Sequence, residues 1–424
     1  MDGAGLSVDT SVVVVGAGAA GLIASWRAAQ LGAKVLLLEK TPRLGTKILI
    51  SGGGKCNITH DGPIEDVLRA FRPNEARFLR PSCYRFTNHD IVRMLTDQGL
   101  TVMTRPDGRI FPVDKTAKDV VAILGGYLAR SRVEIRTDTA VTNLVFEAGR
   151  VVGVKAGKST IPADRVILAT GGSSYPNSGT TGDGWPWAKA AGHTIVKVRA
   201  ALAPMYLALE DHDAAHSGVA LRDIVLRARL KPTEGKTKEL ARWRDDLLFT
   251  HQGVSGPTVL GISREVAESQ SLGVVELLAD LHPDKTPEAI SQLLIDFCRD
   301  HPRRSISGFV SGWVPERLVP VLLGAAGIPD GCIGANLDRK GRNRLVDVAK
   351  GWNLGRVRAV PLEKGEVVAG GISLDEVDPH TMASKLVKGL YLCGEVLDIA
   401  GPVGGYNLQA AFATGYVAGE SAVS

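Results

Sequence analysis

The chain has 424 residues, 44% of them hydrophobic and 22% charged, which is typical of a globular protein large enough for two or three domains. Its five cysteines and nine histidines show neither C-x-x-C nor H-E-x-x-H spacing, so we expect no disulfide framework and no metal site. The longest run of apolar residues and glycine, Val12–Ala24, is too short to span a bilayer and follows no basic signal-peptide region. We therefore expect a cytoplasmic protein without a membrane span.

The first predicted elements are a strand, a glycine-rich turn and a helix. Val12–Val15 is a run of valines, typical of a strand buried on both faces of a parallel sheet. Gly16, Gly18 and Gly21 follow with G-x-G-x-x-G spacing, which allows a tight turn, close approach of the backbone to a pyrophosphate, and close packing of helix on strand. The helix is predicted over Ala19–Leu31, with its positive N-terminus towards the phosphates.

A second strand completes a dinucleotide-binding pattern. Val35–Leu38 is apolar and ends at Glu39, where a carboxylate is expected to accept hydrogen bonds from a ribose. A glycine-rich turn alone is also a common way to pack a helix on a strand. Here strand, turn, helix, strand and acid occur in order, so the sequence predicts a βαβ unit that binds a dinucleotide.

Three consecutive glycines follow within Lys47–Asn57, KILISGGGKCN. Such a loop has exposed backbone N–H groups and little side-chain bulk, so it suits contact with a flat ring or an anionic group. Cys56 in this loop directly follows Lys55. We expect the lysine ammonium and the N–H groups to lower the pKa of its thiol.

Further strands and helices lead to a second glycine-rich region. Ala117–Arg130 is predicted as a helix and Val145–Val154 as a hairpin. Arg165–Gly172, RVILATGG, is predicted as a buried strand. In large flavoproteins that bind two dinucleotides, such an Ala-Thr-Gly strand end closes the chain back on the cofactor domain. A glycine-rich loop, Ser173–Gly184, follows and contains Asp183.

The character of the chain then changes. Leu221–Leu230 alternates like a strand of a small antiparallel sheet or barrel, and Lys231–Arg244 is predicted as a polar, basic insertion. Asp246–Pro257, DLLFTHQGVSGP, is predicted as a strand that ends in a turn. Helices are predicted over Pro287–Arg299 and Pro315–Ala326. We interpret this part as an inserted domain that caps the cofactor.

The last segment returns to the first domain. Lys388–Glu395, KGLYLCGE, is predicted as a strand ending in Gly-Glu, the usual place for an acid that hydrogen-bonds the ribityl chain or a ribose of a flavin cofactor. Gly404–Ala411, GGYNLQAA, opens a helix. Its N-terminus suits the pyrimidine edge of an isoalloxazine ring, where negative charge develops on reduction.

With these residues assembled, the chain resembles the BaiN/YhiN/aminoacetone-oxidase-like family of FAD-dependent flavoproteins. One departure is Val368 in VVAGG, because the family usually has Thr before this Gly-Gly pair, so any cofactor contact made by that hydroxyl is lost. The matching blocks span nearly the whole chain and are GAGAAG, GTKILISGGGKCNIT, ATGGSSYPNSGTTGDG, LLFTHQGVSGP and GEVLDIAGPVGGYNLQAAFATG.

The resemblance implies an α/β fold: a glutathione-reductase-type FAD-binding Rossmann domain with an inserted β-rich, barrel-like domain and a small helical domain. The predicted boundaries are 1–194 and 359–424 for the discontinuous FAD-binding domain, 195–264 and 327–358 for the β-rich substrate or cap domain, and 265–326 for the mainly helical subdomain. The residues predicted to bind FAD are Gly16, Gly18, Ala19, Ala20, Gly21, Glu39, Lys40, Thr46, Lys47, Ser51, Gly53, Cys56, Asn57, Val141, Thr170, Gly171, Gly172, Asp183, Gly394, Glu395, Gly405, Tyr406, Asn407 and Leu408.

The resemblance also implies an FAD-dependent oxidoreductase. The chain has no second G-x-G-x-x-G motif, so either NAD(P)H, the expected reductant, visits the flavin transiently, or the substrate reduces the flavin and oxygen reoxidises it. We expect reduction of a conjugated carbon–carbon double bond. The alternatives are reduction of a uridine in ribosomal RNA by a dihydrouridine synthase, oxidation of a small amine such as aminoacetone, and a flavin-containing binding protein without turnover.

Cys56 is the first candidate for the acid that such a reduction needs. Saturating a conjugated bond requires hydride on one carbon and a proton on the other, and a thiol with a lowered pKa beside the ring would supply that proton. Tyr406 and His251 are the competing acids. In the alternative structural role, Cys56 only packs against the ring.

Positive charge is concentrated between Arg299 and Arg358, where eleven Lys or Arg residues stand against five Asp or Glu, a net charge of +6. A phosphate backbone is bound mainly through such side chains, which slightly favours rRNA, and the expected partner is a small-molecule substrate or rRNA. The ordinary alternative is a solvated helix face, since no RNA-binding module is recognisable and aromatic content is 5%. The densest part of this segment consists of Arg339, Lys340, Arg342 and Arg344.

Overall fold

The computed structural model describes residues 10–424. They divide into two compact units: residues up to Val198 together with Glu366–Ser424 form the first, and Arg199–Gly365 form the second. The boundaries drawn from the sequence, including a separate helical subdomain over 265–326, stay predictions. Between residues 10 and 424, no helix combines the length and the apolar character that crossing a membrane requires.

The described residues form nineteen strands and thirteen α-helices. The strands are β1 (Ser11–Val15), β2 (Lys34–Leu38), β3 (Thr59–His60), β4 (Val102–Thr104), β5 (Arg109–Pro112), β6 (Glu134–Arg136), β7 (Val141–Glu147), β8 (Arg150–Ala156), β9 (Ser159–Pro162), β10 (Arg165–Leu168), β11 (Ile195–Ala201), β12 (Met205–Leu207), β13 (Ala220–Pro232), β14 (Lys238–Phe249), β15 (Gly253–Ser255), β16 (Gly273–Asp280), β17 (Trp352–Ala359), β18 (Val367–Ile372) and β19 (Leu390–Leu392). The helices are α1 (Ala19–Gln30), α2 (Thr46–Ile50), α3 (Ile64–Arg69), α4 (Pro73–Arg85), α5 (Asn88–Thr96), α6 (Ala117–Arg130), α7 (Gly184–Ala190), α8 (Pro257–Ser269), α9 (Pro287–Asp300), α10 (Ile306–Val310), α11 (Val319–Ala325), α12 (Arg339–Gly351) and α13 (Tyr406–Ser421).

A parallel sheet of five strands, in the order β19-β10-β1-β2-β6, forms the centre of the first unit. Strand β1 is buried from Val12 to Val15, as its valines predict for a strand covered on both faces. Helix α1 connects the neighbouring parallel strands β1 and β2, which confirms the predicted βαβ unit. Because β19 comes from the C-terminal segment and pairs with β10, both ends of the chain build this sheet.

Helices α1 and α13 pack with their backbones in close contact. A Cβ atom at Gly415 would lie 2.3 Å from the Ala20 carbonyl oxygen, and one at Gly419 would lie 2.3 Å from the Ala24 carbonyl oxygen. Glycine is therefore needed at both positions of α13, since any side chain would push the helices apart.

Smaller sheets complete the first unit. The strand orders are β3-β5-β4 and β7-β8-β9, both antiparallel, and β11 pairs with β18. The hairpin of β7 and β8 confirms the turn predicted within Val145–Val154, and α6 confirms the helix predicted over Ala117–Arg130.

A closed antiparallel barrel, in the order β12-β15-β14-β13-β16-β17, forms the second unit together with helices that share its hydrophobic core. Strand β13 buries alternate residues, among them Leu226, Ala228 and Leu230, as its sequence pattern predicts. The predicted insertion over Lys231–Arg244 is wrong, because β14 begins at Lys238 and pairs with β13 along most of its length. Its side chains are mostly exposed or half-buried, so the apolar alternation of a strand is weak there.

Candidate functional site

The three glycines of the G-x-G-x-x-G motif lie in the turn after β1 and in the first turn of α1, and two of them are crowded while one is open. A Cβ atom at Gly16 would lie 2.5 Å from the Ala169 carbonyl oxygen, and one at Gly21 would lie 1.8 Å from the Gly16 carbonyl oxygen. At Gly18, no atom lies within 4 Å of the Cβ position. Helix α1 begins at Ala19 with neither a side-chain cap nor an acidic residue in its first turn. Its N–H groups therefore suit a phosphate group.

Glu39 follows β2, and protein groups orient its carboxylate. Oε2 accepts a hydrogen bond from the Ala17 N–H at 2.8 Å, and Oε1 accepts from both the N–H and the hydroxyl of Thr41, each at 2.8 Å. Carboxylate oxygens have further lone pairs, so Glu39 keeps the capacity to accept from ribose hydroxyls. Next to it, Lys40 Nζ lies 2.5 Å from Asp183 Oδ2.

An ion pair joins two distant segments of the first unit. Lys47 Nζ lies 2.5 Å from Glu395 Oε2 and donates to Ser174 Oγ at 2.8 Å. The other oxygen of Glu395 accepts from the backbone N–H of Val368 at 3.0 Å. Ser174 is buried and is not among the predicted site residues, although the glycine-rich loop Ser173–Gly184 that contains it is predicted. The structure thus brings together the acid after β19 and the lysine of α2.

The end of β10 lies against the same acid. A Cβ atom at Gly172 would stand 3.1 Å from Glu395 Oε1, and one at Gly171 would stand 3.9 Å from Glu395 Oε2. Thr170 Oγ1 and Ser173 Oγ are buried without a hydrogen-bond partner among residues 10–424. Because buried hydroxyls are normally satisfied, these two suggest a ligand at this strand end.

Three other predicted residues occupy element ends. Thr46 begins α2 and Val141 begins β7, where it is buried. The Gly394 N–H donates to Thr414 Oγ1 of α13 at 3.0 Å.

The triple-glycine loop follows α2 as a short 3-10 turn, Ser51–Gly54. No atom lies within 4 Å of the Cβ position of Gly53, so its backbone faces open space as predicted. With its amide oriented to match its neighbours, Asn57 accepts from the Gly405 N–H at 3.0 Å and donates to the Thr59 carbonyl at 3.2 Å. The loop is therefore tied to the start of α13.

Cys56 does not have the environment predicted for it. Its exposed fraction is 0%, and burial raises the pKa of its thiol to about 12, an increase that the hydrogen bond with Ser51 reduces only in part. The expected lowering of this pKa by Lys55 is wrong, because the cost of desolvating a thiolate is larger. A side chain without accessible surface contacts only other protein atoms, so the structure supports a packing role for Cys56.

Tyr406 is the first residue of α13 and is held between two rings. It stacks on His60, with ring centroids 4.7 Å apart and an interplanar angle of 22°, and meets Phe71 edge-on at 6.3 Å. Tyr406 is half-buried, which raises the pKa of its phenol. In the part of the chain that the structure describes, no protein group hydrogen-bonds to its hydroxyl.

The residues after Tyr406 anchor the helix start. Asn407 accepts from the Gly401 N–H at 2.8 Å and donates to the Gly401 carbonyl at 2.9 Å, and Leu408 packs on the core. Helix α13 has no side-chain cap and no acidic residue in its first turn. It is thus a second helix N-terminus that suits negative charge.

His251, the third candidate acid, lies in the second unit. It is exposed in the turn between β14 and β15. The other two candidates, Cys56 and Tyr406, belong to the first unit.

These features fit FAD. The open N-terminus of α1 suits a pyrophosphate, Glu39 suits a ribose, the hydroxyls of Thr170 and Ser173 lack partners, and the N-terminus of α13 suits the pyrimidine edge of a flavin. The fold and this site define an FAD-dependent oxidoreductase built on a Rossmann domain.

The chain belongs to the HI0933-like family, because the family model described as "HI0933-like protein Rossmann domain" matches residues 10–421. It is 32% identical over 416 residues to the 3-dehydro-bile acid delta(4,6)-reductase of Clostridium scindens, covering 96% of this chain and 98% of that protein. It is 29% identical over 415 residues to the ribosomal RNA dihydrouridine synthase of Escherichia coli, covering 97% and 98%.

Among solved structures, the fold is similar to that of the 3-ketosteroid-delta4-(5alpha)-dehydrogenase from Rhodococcus jostii. The TM-score is 0.51 at 16% sequence identity, with 98% of this chain and 97% of that chain covered. The predicted family, α/β fold, FAD cofactor and oxidoreductase class are confirmed. The reductant and the individual site residues stay predictions.

Proposed function

We propose that the protein reduces a carbon–carbon double bond conjugated to a carbonyl group in a small molecule. Two relatives that match over nearly their whole length are named for reductions of ring double bonds, one in a 3-dehydro-bile acid and one in uridine. In a 3-oxo-4-ene steroid and in uracil alike, that bond is conjugated to a carbonyl group. Reduced FAD, when bound, would supply hydride to one carbon of such a bond, and in this proposal a protein side chain supplies the proton to the other carbon.

Tyr406 is the proton donor in this proposal. The observation that carries it is a half-buried phenol at an uncapped helix N-terminus. Among the described residues, its hydroxyl forms no hydrogen bond with a protein group. Burial raises its pKa, so the phenol is protonated at neutral pH. After it gives up the proton, the helix N-terminus and the Arg109 guanidinium favour the phenolate, whereas the charges of Asp107 and Asp66 oppose it.

The test compares Tyr406→Phe with the wild type. Phenylalanine keeps the ring and its stacking but cannot donate a proton. We expect FAD retention with a rate of enone reduction lowered by about 100-fold, the usual effect of removing a general acid. Stopped-flow mixing of the photoreduced enzyme with a 3-oxo-4-ene steroid, and separately with a uridine oligonucleotide, measures this rate and separates the two substrate classes.

Two control variants assign the acid. We expect Cys56→Ala and His251→Asn to reduce substrate within several-fold of the wild-type rate, because neither loses the proposed donor. A full rate in Tyr406→Phe would contradict the proposal. If His251→Asn then loses the activity, the acid is His251.

Ribosomal RNA is the second candidate substrate, favoured by charge at the start of α12. Arg339 and Lys340 are exposed in its first turn, where the positive end of the helix dipole disfavours cations, so an anionic partner would explain them. Arg344 differs, because its Nε donates to the Ala326 carbonyl at 2.7 Å. A cytoplasmic location and an RNA partner both stay predictions.

Salt dependence of binding tests this candidate. Binding of rRNA fragments should weaken steeply with salt, and changing both Arg339 and Lys340 to Gln should reduce the slope of log K against log salt by about 1 to 2. Lys236→Gln, in an exposed loop of the barrel, is the control for removing a positive charge elsewhere on the surface. A flat salt dependence would leave the two residues as a solvated face.

A further inference from the structure

His60, which was not among the predicted site residues, contacts both Tyr406 and the turn before it. Its ring stacks on the phenol ring, 4.7 Å away and inclined by 22°. His60 Nδ1 lies 3.2 Å from the Gly404 carbonyl oxygen. Since a carbonyl can only accept, Nδ1 is the donor, and this bond selects the imidazole tautomer.

Gly108 confines the imidazole on another side. It lies in the turn before β5 with a φ of +81°, and a Cβ atom there would stand 2.4 Å from His60 Nε2 and 2.7 Å from Cε1. The backbone of this turn is fixed to β3, because the Asp61 N–H donates to the Gly108 carbonyl at 2.8 Å. The imidazole thus has little room to rotate between the Gly108 turn and the phenol ring.

We propose that His60 is a positioning residue for Tyr406. Its ring sets the plane of the phenol, and its Nδ1–H holds the Gly404–Gly405 turn from which α13 begins. This inference rests on the proposed role of Tyr406 as proton donor. A proton donor must be held close to the accepting carbon and aligned with it. Loss of His60 therefore lowers the rate through the orientation of the phenol.

Two variants separate the two contacts of His60. His60→Phe keeps a stacking ring but loses the hydrogen bond to the Gly404 carbonyl, whereas His60→Asn keeps a donor near the Nδ1 position but loses the stack. We expect each to retain FAD and to lower kcat for substrate reduction by about tenfold, with KM little changed. In a Tyr406→Phe background, the same changes should cause no further loss, because the donor is already absent.

A steric test reaches His60 without changing it. Gly108→Ala places a methyl group against His60 Nε2 and should lower kcat to the level of the His60 variants. Gly99→Ala is the matched control, because Gly99 has a φ of +80° and no atom within 4 Å of its Cβ position. Both substitutions carry the same left-handed backbone strain, so the difference between them reports the displaced imidazole.

A second readout, on the FAD-loaded protein, does not depend on catalysis. NMR titration of ring-labelled tyrosine follows the phenol of Tyr406, which Tyr406→Phe assigns. Burial raises the pKa of this phenol. In His60→Asn the freed ring should reach water, and its pKa should fall towards the ordinary value of about 10.

The outcomes distinguish the two proposals. If Tyr406→Phe loses activity while both His60 variants and Gly108→Ala keep the wild-type kcat, the positioning role is overturned and the proton donor stands. If Tyr406→Phe keeps full activity, both are overturned. Further loss on adding a His60 variant to Tyr406→Phe would also overturn the inference, because His60 would then act independently of the phenol.

Discussion

Helices α1 and α13 both begin after a glycine without a side-chain cap, but the space in front of them differs. At α1, nothing lies within 4 Å of the Cβ position of Gly18. At α13, a Cβ atom on Gly405 would stand 2.6 Å from the Thr59 carbonyl, and one on Gly404 would stand 2.4 Å from the Tyr406 ring. The N-cap glycine of the first helix is open, whereas protein atoms crowd the glycines before the second helix and hold the Tyr406 side chain. Similar glycine motifs therefore have different roles: one leaves space in front of a helix, and the other lets protein backbone and a side chain pack closely.

The largest effect should come from a side chain between the first turn of α1 and the turn before it. In Gly21→Ala, the new methyl group would lie 1.8 Å from the Gly16 carbonyl oxygen, so α1 must move away from β1. We expect the free energy of unfolding to fall by about 3 kcal/mol or more. Urea denaturation measures this change, and absorbance of the purified protein should show that FAD is lost.

Gly18→Ala is the control that tests the open space itself. Its backbone has a φ of −77°, which alanine adopts without strain, so the stability of the apoprotein should change by less than about 0.5 kcal/mol. The methyl group would enter the space that the pyrophosphate is predicted to use, so FAD affinity should fall. Wild-type affinity in this variant would contradict the assignment of the α1 end to the cofactor.

Glu39→Ala probes the acid beside α1. Loss of hydrogen bonds to a charged acceptor should weaken FAD binding by about 1.5 to 3 kcal/mol. Fluorescence titration of the apoprotein measures this affinity, with Glu134→Ala on strand β6 as the exposed carboxylate control. Denaturation of the wild type should release FAD, and release of FMN would contradict the ribose assignment.

Cys56→Ala probes the loop that Asn57 ties to the start of α13. Removing a buried thiol should cost about 1 kcal/mol of stability, with FAD retained and substrate reduction within several-fold of wild type. The native thiol should also resist alkylation at neutral pH, because its pKa is raised to about 12. Loss of activity by more than about tenfold, with FAD bound, would contradict the packing role and indicate that Cys56 takes part in the chemical step.

The smallest effect is a change in a pH profile. A proton donor must be protonated, and burial raises the pKa of Tyr406. The kcat of the wild type should therefore stay level up to about pH 10 and fall only above the ordinary tyrosine value. The residual rate of Tyr406→Phe should lack this alkaline limb. The same raised pKa contributes stability that is present below about pH 10 and is lost as the pH rises above it.

The sequence predicts best what depends on neighbouring residues. The βαβ unit up to Glu39 was predicted nearly to its ends, because strand, glycine turn and helix have local patterns. The pKa of Cys56 was missed, because the desolvation that controls it comes from segments that fold over the loop. His60 was missed for a similar reason, since its partner Gly404 is 344 residues away in sequence.

Strand β14 shows a different limit. It pairs with β13 over most of its length, yet half of its side chains are charged and most are exposed or half-buried. A strand that buries little leaves no apolar alternation to detect, so Lys238–Arg244 reads as an insertion in the sequence. The barrel needs the backbone hydrogen bonds of β14. Such bonds leave no signal in the pattern of side chains.

Helix α1 can be covered by its partner helix only late in biosynthesis, because α13 lies near the end of the chain. A ribosome makes α1 early and α13 late, and until Gly415 and Gly419 have been added, Ala20 and Ala24 lack the helix that covers them. The nascent chain therefore cannot offer both helix ends to FAD at once. We expect a stalled chain that stops before Tyr406 to fail to retain the flavin, so that cofactor loading marks a polypeptide whose translation has passed α13.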